Sequence, residues 1–206
     1  MRNLYTLLLL SIFSGFASAQ TRYTIWDFRD SLKLTGIDSL MVYSQECAGS
    51  APVFVIDNCF IRDPYYLMWR SNGKFYIKRF DQCHRYRLIE IDSLKPYQFY
   101  FKNKTTIDTE EIRPPTFAQY FKKGNKFIRQ ENIIVAEHDC VYKFFLSVNG
   151  QTSEKKVSWF NLTNKNFDGR KNINYDRNQR TRLKELIDAI DDTVSQLQEN
   201  KMIVIE

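Results

Sequence analysis

The chain has 206 residues, with 30 basic and 24 acidic side chains and a formal net charge of +6. That length fits one domain with a sizeable core, and the basicity is too mild and dispersed for a nucleic-acid-binding arm. Seven glycines leave little material for a phosphate-cradling loop.

Residues 1–19 read as a secretory signal peptide. Met1-Arg2-Asn3 is a short basic region, Leu4 to Phe16 is an apolar run too short to span a bilayer, and Ala17-Ser18-Ala19 is a small-x-small cleavage site. Removal near Ala19 predicts a secreted or periplasmic protein, with residues 20–206 as a single globular α+β domain and no membrane span. Cys47, Cys59, Cys83 and Cys140 all lie in the mature part, and an even number in an exported chain predicts two structural disulfides. Cys47–Cys59 with Cys83–Cys140 is the expected connectivity. The cysteines stand singly, without zinc-site spacing, so neither a metal nor a cofactor is expected.

Thr24 with Asp27 forms a capping box, and Ile25, Phe28 and Leu32 share a helical face that Gly36 ends. Ile37 to Ser44 and Val53 to Ile56 read as strands, tied by Cys47 and Cys59. Tyr65 to Phe80 is a hairpin turned on Asn72-Gly73, because Asn-Gly supplies the positive φ of a type I′ turn. Its register places Trp69 opposite Tyr76 and Met68 opposite Ile77, and neither face is cleanly polar. Leu88 to Asp92 reads as a strand. Pro96 breaks the chain, and the alternation of Tyr97, Phe99 and Phe101 predicts another strand. A polar connection runs from Asn103 to Pro115. Thr116 to Gly124 reads as a short capped helix decorated by Lys122, Lys123, Lys126 and Arg129.

The sheet centre is expected at Ile133 to Leu162. The even positions Ile134 to Val148 are apolar or semi-apolar except His138, Asn149-Gly150 turns the chain, and Lys155 to Leu162 returns. That register sets Tyr142 opposite Val157, Cys140 opposite Trp159 and His138 opposite Asn161. A polar loop, Thr163 to Tyr175, precedes the clearest helix. This helix opens at Asp176 and carries Leu183, Leu186, Ile187, Ile190, Val194 and Leu197 at steps of three and four. Met202 to Ile205 reads as an edge strand. The predicted fold is therefore α+β: an antiparallel, hairpin-built sheet of five to seven strands against a long C-terminal helix, with two disulfides.

No nucleophile elbow, His-Glu-x-x-His or other catalytic signature occurs. The chemical candidates are His84, His138 and Asp139, which a Cys83–Cys140 bond would gather into one hydrolytic or metal-binding site. The alternation opposes this, since His138 points to the core side and Asp139 away. The other candidate is a ligand surface of Trp69, Arg70, Tyr76, Lys78, Arg79 and Arg85, where aromatics interleave with cations. The expected function is non-catalytic: an exported binding or interaction protein whose partner is an anionic glycan or a protein, not nucleic acid. The alternative is a small extracytoplasmic hydrolase or metal-binding enzyme using His84 and His138.

Overall fold

A computed structural model describes residues 24–48, 54–56, 59–61, 63–165 and 169–206, with the backbone alone for 54–56 and 59–61. The expected signal peptide, residues 1–19, lies outside these residues. The elements in chain order are α1 (Ile25–Leu34), β1 (Leu40–Cys47), β2 (Phe54–Ile56), β3 (Cys59–Ile61), β4 (Tyr65–Ser71), β5 (Lys74–Phe80) and β6 (Ile89–Ile91). They continue with α2 (Lys95–Thr109), β7 (Thr116–Lys123), β8 (Lys126–Ile133), β9 (Cys140–Val148), β10 (Gln151–Ser158), a 3-10 turn (Trp159–Leu162), α3 (Tyr175–Asn178) and α4 (Arg182–Glu199).

Six strands form one antiparallel sheet in the order β10-β9-β1-β4-β5-β6; β2 with β3 and β7 with β8 are separate two-stranded ribbons. The two Asn-Gly turns sit where the sequence places them. Asn72 and Gly73 have φ of 50° and 79°, and Asn149 and Gly150 of 49° and 77°, the sign a type I′ turn demands. The registers follow, with Trp69 opposite Tyr76 and Tyr142 opposite Val157.

The sheet is covered on both sides. On one face Met41, Tyr66, Met68, Ile77, Phe144 and Leu146 meet α2 and α4 through Tyr97, Tyr100, Leu186 and Ile190. On the other, Leu40, Val42, Leu67 and Trp69 meet α1 through Ile25 and Phe28. This explains why neither face of the β4–β5 hairpin is polar: its strands are interior on both sides. Thr24 caps α1 as expected, its hydroxyl accepting from the Asp27 N–H while Asp27 accepts from the Thr24 N–H.

Four expectations are corrected. The single pairing resolved among the described residues is Cys47–Cys140, in place of Cys47–Cys59 and Cys83–Cys140. These two cysteines are register partners on β1 and β9, so strand pairing brings them together across 93 positions of sequence. Lys95–Thr109 is a helix, not a strand and loop. Pro96 sits in its first turn, where the absent N–H has no partner to lose, and Tyr97, Tyr100 and Ile107 form its buried face. Thr116–Lys123 is a strand, not a helix. Gly124, at φ 63°, takes the first central position of a two-residue turn that joins it to β8. The long strand is also shorter than expected: β9 begins at Cys140, and Trp159 lies in the 3-10 turn rather than opposite Cys140.

Candidate functional site

The six residues of the expected aromatic-basic surface do not form one surface. Alternation along β4 and β5 divides them. Trp69 is buried against Phe28, with ring centroids 5.6 Å apart, and stacks on Tyr76 at 5.5 Å. On that face Lys78 reaches over the Phe28 ring, donates to the Tyr86 carbonyl and pairs with Glu206 at 3.1 Å. Arg70 and Arg79 belong to the opposite face. Arg70 is exposed above Phe75, and the Arg79 guanidinium lies 4.6 Å from the Tyr86 ring centroid and 3.5 Å from Asp81. Arg85 is exposed on the following loop.

The histidines do not converge either. His138 is exposed, ahead of β9, not on the buried side. Asp139 is occupied structurally: it accepts from the Ser158 hydroxyl and from the Phe160 N–H at 3.1 Å. His84 instead neighbours Asp81, with His84 Nδ1 3.6 Å from Asp81 Oδ1. Ligand atoms of Asp81, Cys83 and His84 fall within 4.8 Å of one another. Cys83 is disulfide-bonded, however, and offers no thiolate to a metal. A cleft of about 470 Å³ opens here, lined by α1 at Phe28, the end of β5, Asp81, His84, Arg85, Tyr86 and Glu206. Burial and then the hydrogen bond to Asp81 push the Tyr86 phenol well above its ordinary range, so it stays a donor.

A second feature was not read from the sequence as a surface. The β7–β8 ribbon leaves the body as an arm. Its base is fixed: Phe117 is buried near Phe160, and Asn172 Oδ1 accepts from the Thr116 N–H at 3.2 Å. Beyond the base, every residue from Gln119 to Glu131 is exposed. Tyr120 is 65 % exposed, Phe121 41 %, Phe127 76 % and Ile128 37 %. Register puts Phe121 opposite Ile128, and Tyr120 opposite Arg129, so apolar side chains occupy both faces. Arg129 pairs with Glu131 at 2.6 Å, while Lys122, Lys123 and Lys126 have no counter-charge among the described residues. The cations were visible in the sequence, and Gly124-Asn125 between two runs of equal length is itself a hairpin signal.

Comparison with protein-family models, curated proteins and solved structures finds no match for this chain. Among the described residues, no helix is long and apolar enough to cross a membrane.

Proposed function

We propose that this is an exported, non-catalytic binding protein whose contact element is the β7–β8 arm, and whose partner is an anionic macromolecule. One observation carries the reading: a ribbon exposed from Gln119 to Glu131 presents four large apolar side chains among three uncompensated lysines. Large side chains exposed together mark interaction sites, and the lysines select a partner rich in carboxylate, sulfate or phosphate. An anionic glycan fits both features, because aromatic rings stack on sugar faces while ammonium groups meet the acids. The signal peptide expected from the sequence and the Cys47–Cys140 bond favour an extracytoplasmic setting. With those two cysteines joined, the second disulfide expected of the chain would unite Cys59 and Cys83. The hydrolytic reading has less support, since His138 stands apart from His84 and its cleft.

The test is retention of the mature protein on a sulfated-polysaccharide resin. Wild type should bind and elute with salt. Lys122→Glu/Lys123→Glu/Lys126→Glu should elute at much lower salt, because exposed charge pairing is screened. Tyr120→Ser/Phe127→Ser should weaken binding with less change in its salt dependence. Wild type and the triple variant eluting together would sink the proposal.

A further inference from the structure

Residues 81–86 are held more firmly than a connection needs. The Asp81 side chain is fully enclosed and accepts from the N–H groups of Cys83 and His84, each at 2.8 Å, and from the Tyr86 hydroxyl. Cys83 is disulfide-bonded. Arg85 bridges back to Phe80, and Tyr86 bridges to Ile205. A loop fixed at each of these points keeps the side chains it carries in one arrangement, as a preorganised site requires.

The cations around the adjoining cleft are not equivalent. Lys78 is engaged by Glu206 and the Tyr86 carbonyl, and Arg79 by Asp81 and the Tyr86 ring. The Arg85 guanidinium has no partner among the described residues. The His84 side chain is only 10 % exposed, and its Nδ1 is enclosed without a hydrogen-bond partner beside Asp81. Nε2 is therefore the imidazole nitrogen left to the cleft. The Asp81 charge is offset by the Arg79 guanidinium at 3.5 Å. Glu206, the other anion of the cleft, is held by Lys78.

We propose that this cleft binds a small oxyanion, carboxylate or phosphate, with the Arg85 guanidinium and the His84 imidazole as its donors. Guanidinium matches the planar oxygens of either group through paired hydrogen bonds. His84 donates from Nε2 to the ligand while Nδ1 faces Asp81. The charged groups that line the cleft with His84 are Asp81, Arg79, Lys78, Arg85 and Glu206, with the Tyr86 phenol neutral.

The chain has two histidines, so proton magnetic resonance of the imidazoles reports each one separately, and His84→Gln assigns them. Titrated with inorganic phosphate and, separately, with acetate, the wild-type protein should show a saturable movement of the His84 signals, with those of exposed His138 unmoved. Arg85→Gln, at an exposed position, should weaken the response about tenfold. A response to phosphate alone, to acetate alone or to both identifies the oxyanion. Unmoved His84 signals, equal movement of His138, or an unchanged response in Arg85→Gln would overturn the proposal. Tyr120→Ser/Phe127→Ser should leave the titration unchanged, so the cleft and the arm succeed or fail independently.

Discussion

Tyr43 donates its hydroxyl to Asp191 Oδ1 at 2.7 Å, joining the centre of the sheet to α4. Burial, and then the neighbouring Asp191 charge, pushes the phenol far above its ordinary range, so Tyr43 remains a donor. Burial also raises the Asp191 pKa above 3.8, against the hydrogen bond from Tyr43, which lowers it; Asp188 and Asp192 raise it further and Lys184 lowers it. A carboxyl raised in the folded state holds its proton longer there than in the unfolded chain. The contribution of Asp191 to stability is therefore fully present below pH 3.8 and is lost as pH rises from 3.8 through the raised value. Asp191→Asn keeps an acceptor for Tyr43 and removes the charge. Denaturant titrations across pH should find the variant more stable than wild type at neutral pH, with the gap closing as pH falls towards 3.8. A variant less stable than wild type at neutral pH would mean that the charge strengthens the Tyr43 bond by more than its burial costs.

At the scale of elements, α4 shows how a periodic stripe becomes stability. Leu186 and Ile190 are fully buried, while Val194, one turn on, is half-buried. Leu186→Ala should lower the unfolding free energy by about 3–4 kcal/mol and Val194→Ala by about 1 kcal/mol. Equal losses in urea titrations would show that the helix end packs as tightly as its middle. This helix and the two Asn-Gly hairpins were legible because period and turn chemistry are local properties. The helix begins later than its pattern suggests, because Thr181 rather than Asp176 provides the N-cap, its hydroxyl accepting from Lys184 N–H at 3.2 Å. In Lys95–Thr109 the aromatics satisfy a period of two and a period near 3.6 alike, and packing against α4 decided for the helix. In Thr116–Lys123 no core lies under either face of the outer ribbon, so a strand lacks the alternation that would reveal it. The same exposure that makes the arm a candidate contact surface made it unreadable as a strand. The arrangement around His84 was hidden differently: proximity of Asp81 is local, but the cleft also needs Phe28 and Glu206 from distant parts of the chain.

The whole molecule is closed by pairings that no local pattern records. β1 lies between β9 and β4, so the first strand of the described residues pairs with one that follows it only after seven intervening strands in sequence. Cys47–Cys140 locks that long-range register. In the chain-entropy model, a cross-link across 93 positions removes enough freedom from the unfolded chain to stabilise the fold by about 4.5 kcal/mol. Met41, Tyr43, Phe144 and Leu146 pack along the same strand pair, so the β1–β9 interface is apolar as well as cross-linked. Cys47→Ser/Cys140→Ser should therefore fold, and unfold in urea with a free energy lower by about 4 kcal/mol. The urea dependence should steepen, because the unfolded chain without its cross-link exposes more surface. A loss below about 1 kcal/mol with an unchanged slope would mean that the unfolded chain is already compact around β1 and β9. Resin binding by the arm should survive in this variant under conditions where it remains folded, since the arm joins the body at Phe117 and Asn172 rather than at the disulfide.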